Sequence, residues 1–255
     1  MNPTVWLLLG QKAGDNNQLL ALAEALGWPW EEKRIRARSW EILPHLLLGR
    51  NLVGIDRRHS SPLRPPWPDL ILTAGRRNEP VARWIQRQSG GQTRLVHMGR
   101  PWARLACWDL IVTTPQYFLP EQANILHNRL PLHRIDPDNV RARAERLAPE
   151  LTDLPGPYTA VLIGGDSGPF VFTPNKARHM AEGVNRLHRQ TGGSLLVSDS
   201  PRTPPAAADA FRETLAEPVH SYWWHRDAAH KPNPYLDYLG WADRFVVSGE
   251  SMSMI

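Results

Sequence analysis

The chain has 255 residues, is 42% apolar and carries a formal net charge of +5, with a sequence pI near 9.7. Its single cysteine, Cys107, excludes an intramolecular disulfide and a multi-cysteine zinc site, and no run of 18 apolar residues is present to cross a membrane as a helix. The arginine-rich positive balance favours anionic partners: phosphates, nucleic acid or an anionic membrane surface.

In chain order, short apolar runs alternate with segments of helical period. Val5 to Leu9 reads as a buried strand, Gly10 to Asn17 as a loop, and Gln18 to Leu26 as a helix closed by Gly27. The Met1-Asn2-Pro3-Thr4 start lacks the basic region of a secretory signal, so a cytoplasmic protein is expected. Trp30 to Ile35 is a second strand and Trp40 to Leu48 a second helix; Asp69 to Thr73 is a third strand, and Pro80 to Gln88 a helix with proline in its first turn. Thr93 to His97 and Asp109 to Thr113 follow as strands.

Residues 128–156 break this rhythm with a proline-rich stretch, a charged helix and a Pro-Gly-Pro stop; they are expected to connect two domains, 1–127 and 157–255. The pattern then restarts: strand 158–163, a glycine-rich turn at Gly164-Gly165-Asp166-Ser167-Gly168, helix 174–190, strand 193–198, helix 206–215, strand 219–223, helix 233–240 and strand 244–247. Strand–helix alternation predicts parallel, doubly wound sheets in an α/β protein. Ligands of such sheets sit beyond the carboxyl ends of the strands.

Each candidate for chemistry follows a strand. Residues 10–18, GQKAGDNNQ, offer Gln11, Lys12, Gly14, Asn17 and Gln18 around Asp15, with neither the P-loop nor the dinucleotide glycine pattern. Asp15 could be a general base facing a cleft, while Asp15 or Asn17 reads first as a helix cap, and the two roles can coexist. Arg76 and Arg77 either hold an anion or are solvated. The turn Gly164, Gly165, Asp166, Ser167 leads to Thr173, placed to cap a helix whose N-terminus suits a phosphate; a plain tight turn is the other reading. Ser198, Ser200, Arg202 and Thr203 form a polar, cationic loop, and Ser248, Gly249, Glu250, Ser251 and Ser253 follow the final strand. His220, His225 and His230 recur at intervals of five, which is not the i, i+4 spacing of a helical metal site, so no metal or other cofactor is expected.

The segments GQKAGDNNQLLALAEALG, PDLILTAGRRNEPVARWI, TRLVHMGRP, DLIVTTPQYFLP, LIGGDSGPF, SDSPRTP and NPYLDYLGWADRFVVSGESMSM together resemble the ELM1-like family, which covers plant mitochondrial fission factors and bacterial homologues assigned as glycosyltransferases. The resemblance runs in order over nearly the whole chain. It implies two Rossmann-like domains in the GT-B arrangement, an acceptor-side N-terminal domain and a donor-side C-terminal domain. It implies a nucleotide-sugar donor, with the loops at 164–167, 198–202 and 248–253 on the diphosphate and Asp15 as base, and an envelope or lipid-linked acceptor at the inner membrane face. No nucleic acid is expected. A non-catalytic interaction protein, and a nucleotide-sugar epimerase or hydrolase, are the alternatives. Family members continue beyond Ser-Met-Ser-Met, so the second domain is expected to be incomplete here.

Overall fold

A computed structural model of the chain describes residues 2–42, 45, 49–166, 170–216 and 219–249. It divides into two compact units, Met1–Arg134 and Ile135–Ile255.

The first unit is a six-stranded, wholly parallel sheet in the order β2-β1-β3-β4-β5-β6. Its strands are β1 (Val5–Leu9), β2 (Trp30–Arg34), β3 (Leu70–Ala74), β4 (Arg94–Met98), β5 (Leu110–Thr113) and β6 (Ile125–His127). β1 is buried at all five positions, as a strand covered on both faces must be, which is why it reads as a continuous apolar run rather than an alternating one. The pairing places Leu72, Val96 and Leu110 in one cross-strand row and Ala74, Met98, Val112 and Leu126 in the next. Both rows face the side covered by α1 (Ala13–Leu26). The opposite face carries Ile71, Leu95 and Ile111 against Val81, Ala82 and Ile85 of α2 (Glu79–Gln88).

Two expectations change. α1 begins at Ala13, not Gln18, so Gly14, Asp15 and Asn17 are helical rather than in a loop. The apolar period that marks a helix begins only after its polar first turn, whose side chains Asp15 and Asn16 meet the ends of β3 and β1 through polar contacts instead. The three-residue edge strand β6 carries too short a pattern to be seen. The helix expected over 40–48 falls largely on residues outside those described.

The second unit has a four-stranded parallel sheet, β10-β7-β8-β9. Its strands are β7 (Tyr158–Leu162), β8 (Ser194–Ser198), β9 (Val219–Tyr222) and β10 (Arg244–Val247). α4 (Pro174–Thr191) and α5 (Pro205–Thr214) cover one face through Ala177, Ala181, Val184, Ala207, Ala208 and Phe211. α3 (Pro137–Leu147) and α6 (Tyr235–Trp241) cover the other with Leu147, Leu151 and Tyr238. α3 is the charged helix of the 128–156 stretch, and it lies within this unit. Its close approach to α6 is set by Gly240, where a Cβ would stand 2.5 Å from the Val140 carbonyl oxygen. Thr173 caps α4 as expected, its hydroxyl accepting from the Lys176 amide at 3.4 Å.

Candidate functional site

At the carboxyl edge of the first sheet, β1 passes into α1 through Gly10, Gln11 and Lys12. This turn is closed by Asn16: the Gly10 amide donates to Asn16 Oδ1 at 2.9 Å, and Asn16 Nδ2 donates back to the Gly10 carbonyl at 3.0 Å. The buried Asn78 pins the same place by donating to the Leu8 carbonyl at 2.8 Å. Lys12 is the N-cap residue, without a side-chain capping bond; neither Asp15 nor Asn17 caps the helix.

Asp15 therefore lies in the first turn of a well-anchored helix. Burial pushes its carboxyl above the usual range, and nearby Lys12 pulls the other way. The room it occupies comes from Gly75, at the end of β3 with φ +71, where a Cβ would stand 3.2 Å from Asp15 Oδ2. Gly99, at the end of β4 with φ +82, does the same for Tyr117, whose hydroxyl would lie 3.3 Å from such a Cβ. Tyr117 is itself held up in pKa, first by burial and then by the charge of Asp15. Two side chain-less strand ends thus make space for a carboxyl and a phenol within electrostatic reach of each other. Gln18, one turn along α1 from Asp15, lines a small recess with Gly99, Thr114 and Tyr117. Gly14 and Asn17 are exposed on the first turns of the helix.

Arg76 and Arg77 hold a carboxylate, one of the two sequence readings, and that carboxylate is internal to the chain. Arg76 Nη2 and Arg77 Nε both donate to the buried Glu41 Oε1, at 3.1 and 2.9 Å, and Arg77 Nη1 donates to Gln11 Oε1 at 2.6 Å. Arg76 also lies 4.7 Å over the Trp102 ring. These two cations fasten Glu41 to the strand end.

Beneath this edge is a polar group that sequence reasoning missed. Glu79 is fully buried, and its two carboxylate oxygens each accept a backbone N–H, from Trp102 and Ala103, at 2.8 Å. Burial raises its pKa, with those two amides opposing. His97 Nε2 lies 3.7 Å from Glu79 Oε1, and burial drives the imidazole pKa down to about 4, so the ring is neutral. Acid and histidine sit far apart in sequence, and no local pattern links them.

In the second unit, the Gly164–Asp166 turn and the 198–203 loop are bonded to each other. The Gly164 amide donates to Ser248 Oγ at 2.7 Å, the Gly164 carbonyl accepts from Ser200 Oγ at 3.1 Å and from Thr203 Oγ1, and the Asp166 amide donates to the Arg202 carbonyl at 3.1 Å. Arg202 Nη1 returns a bond to the Asp166 carbonyl at 3.2 Å. Gly165 permits this approach: a Cβ there would fall 2.0 Å from the Arg202 carbonyl oxygen. Ser198 is buried and donates to Asn233 Oδ1 at 3.0 Å. Gly164, Gly165, Asp166, Ser198, Arg202 and Ser248 are thereby gathered at one sheet edge, and Gly249 follows directly. Ser167, Glu250, Ser251 and Ser253 lie outside the described residues.

Asp199, also missed, belongs to the same edge. It is 3% exposed; Oδ1 accepts from the Trp224 amide, and Oδ2 is enclosed with no hydrogen-bond partner among the described residues. Burial raises its pKa to about 6, against the pull of the Trp224 amide and His225. The signal available was an acid immediately after a strand, within SDSPRTPP. Among the described residues no cluster of three or more metal-ligating side chains occurs, and no helix is long and apolar enough to cross a membrane.

The model of the mitochondrial fission ELM1 family matches residues 13–255. Arabidopsis thaliana mitochondrial fission protein ELM1 is 24% identical over 210 residues, covering 74% of this chain and 48% of the plant protein, so the chain spans about half that relative's length. An uncharacterized protein of Rickettsia prowazekii (strain Madrid E) is 23% identical over 281 aligned positions, covering 98% of this chain and 78% of its own. Among solved structures, the S. aureus MnaA–UDP complex superposes with a TM-score of 0.51 at 11% identity, covering 97% of this chain and 74% of that one. A protein from Listeria monocytogenes assigned as a UDP-N-acetylglucosamine 2-epimerase gives 0.50 at 14% identity, covering 98% and 75%. That likeness concerns the fold, two Rossmann-like α/β units of GT-B type. With a family match across all but its first twelve residues, the chain belongs to the mitochondrial fission ELM1 family.

Proposed function

We propose that this chain is a GT-B-type glycosyltransferase that moves a sugar from a nucleotide-diphospho-sugar to an envelope or lipid-linked acceptor. The observation that carries the reading is Asp15: a carboxyl at the carboxyl edge of a parallel sheet, desolvated enough for its pKa to rise, in the room that Gly75 leaves for it. In the reaction the acceptor hydroxyl oxygen forms a bond to the anomeric carbon as the bond to the diphosphate breaks. The hydroxyl proton passes to the Asp15 carboxylate, and the electron pair leaves with the diphosphate. Arg202 and the Gly164–Ser167 turn would offset the charge on the leaving group, with no metal required. The MnaA structure holds UDP, by its description, and supports a uridine nucleotide as the first donor to test.

A second reading has its own support. The Gly164 and Asp166 amides, which would meet a phosphate, are already spent on Ser248 Oγ and the Arg202 carbonyl. A degenerate donor loop of this kind suits a non-catalytic interaction protein. A thermal-shift panel of UDP-, GDP-, ADP- and CMP-sugars separates the two: stabilisation by a nucleotide sugar is expected for the transferase, and none for the interaction protein. Product analysis then separates transfer from epimerisation or hydrolysis. Asp15→Asn in a full-length homologue should cut turnover by about 100-fold or more while leaving nucleotide affinity nearly intact. A loss confined to thermal stability removes Asp15 from the chemistry.

A further inference from the structure

The recess beside Asp15 is built by three separate stretches of the first unit. Gln18 comes from α1, Thr114 and Tyr117 follow β5, and Asn128 follows β6. Its free volume of about 10 Å³ is room for one water-sized group. The polar side chains around it are unspent. Thr114 is 5% exposed, and its hydroxyl is enclosed with no hydrogen-bond partner among the described residues. Gln18, Tyr117 and Asn128 likewise make no side-chain hydrogen bond among the described residues. Buried polar groups are normally satisfied, so a lone hydroxyl facing three further free groups calls for a partner from outside the chain.

The chemistry of these groups selects that partner. All four are uncharged, and each hydroxyl or amide among them can both donate and accept. A ligand hydroxyl, itself donor and acceptor, matches such a set. A phosphate or carboxylate does not: no cation is on the lining, and the ionised carboxyl of Asp15 would repel it. Neither Lys12, which acts on Asp15, nor Arg100, which donates to the Tyr117 carbonyl at 2.9 Å, reaches the recess. Asp15 is close on two sides. It precedes Gln18 by three residues on α1, a spacing that makes helical neighbours, and its charge acts on the Tyr117 phenol.

We infer that this recess is the subsite for a neutral sugar at the reacting end of the acceptor. One ring hydroxyl enters between Gln18, Thr114 and Tyr117, and the adjacent hydroxyl of the same ring lies toward Asp15. A vicinal diol on a rigid ring supplies both groups at once, whereas a simple alcohol supplies one. The inference rests on the transferase reading for the role of Asp15. It adds that the acceptor's reacting end is an uncharged sugar, and that Thr114 and Tyr117 are the residues that select it.

Saturation-transfer difference NMR on the 255-residue chain reads the weak binding expected of a single subsite. The probes are the methyl glycosides of glucose, galactose, mannose and N-acetylglucosamine at millimolar concentration, with glucuronate as the charged control and uridine as the nucleobase control. At least one neutral glycoside should give a saturable signal, and glucuronate should bind at least five-fold more weakly. Thr114→Val, which keeps the shape and removes the hydroxyl, and Tyr117→Phe should each weaken glycoside binding at least five-fold, as the loss of about one hydrogen bond implies. Thr114→Ser, which restores the hydroxyl, should bind within two-fold of the parent. All three variants should keep the parent's melting transition, because the hydroxyls they touch bond nothing in the fold. Absence of signal from every glycoside overturns the inference and leaves the recess to water. So does binding that survives both Thr114→Val and Tyr117→Phe, glucuronate binding as tightly as the neutral glycosides, or uridine displacing them, which would assign the recess to a nucleobase. Glycoside binding without transfer from any nucleotide sugar would keep the subsite and sink the transferase reading; transfer at a rate indifferent to both substitutions would do the reverse.

Discussion

Gly165→Ala is the most direct test of why the glycine-rich turn is glycine-rich. The added Cβ would meet the Arg202 carbonyl oxygen at 2.0 Å, its carbon at 2.2 Å and the Thr203 nitrogen at 2.5 Å, all backbone atoms that cannot swing aside. Relief requires the 200–203 turn to move away by more than 1 Å, on the order of the overlap with ordinary contact distance. That movement breaks the Asp166 amide bond to Arg202 and the Ser200 hydroxyl bond to Gly164, both 3.1 Å. Two bonds at about 1 kcal/mol each, plus an overpacking cost of about 1–3 kcal/mol, give a loss of about 3–5 kcal/mol. Domains hold together by about 5–15 kcal/mol in all. At about 3–5 °C per kcal/mol for a unit of this size, the melting transition should fall by about 9–25 °C. The control is Gly14→Ala on the exposed first turn of α1, where nothing lies within 4 Å of the new Cβ. There the backbone entropy saved should stabilise the chain by about 0.5–1 kcal/mol. Thermal and urea melts followed by tryptophan emission read both variants, with Trp223, Trp224 and Trp241 reporting on the second unit. If Gly165→Ala melts within about 2 °C of the parent and loses only nucleotide-sugar stabilisation, the glycine serves a ligand and the packing argument is wrong.

Two further predictions concern pH. His97 has its folded pKa lowered to about 4 from 6.5, so the unfolded chain takes up the proton first; its contribution is complete above about 6.5 and is lost as pH falls toward 4, at up to about 1.4 kcal/mol per pH unit. Urea titrations between pH 4 and 7 should show this slope and show it flattened in His97→Leu; an unchanged slope would place the titrating group elsewhere. Asp199 runs the other way: its pKa rises from 3.8 to about 6, so the folded chain holds the proton longer and stability falls as pH rises through about 4 to 6. Asp199→Asn, which keeps an acceptor for the Trp224 amide, should abolish that slope and leave the second unit at least as stable at pH 7.5; marked destabilisation at pH 7.5 would show that the carboxylate makes a favourable ionic contact.

The sequence by itself determined the fold class. β1 is a run of consecutive apolar residues, β3 and β7 are so but for one threonine each, and the helices between them show a 3.6-residue period, because a strand buried on both faces and a helix buried on one leave different local signatures. The Thr173 cap and the Gly27 stop of α1 were equally local and equally legible. So were the loops that follow the strands, since parallel topology sends every such loop to the same edge. Tertiary structure alone decided what the residues in those loops do. Whether Arg76 and Arg77 hold an anion, and which one, was open until Glu41, some 35 residues away in sequence, was placed against them. Gly165 looked like a phosphate glycine until the Arg202 carbonyl came up against it. Asp199 went unremarked in its loop until Trp224 and the surrounding core closed over its carboxyl. Hydrophobic period and capping are written into neighbouring residues; burial, ion pairing and pKa depend on which distant residues the folded chain brings within a few ångströms.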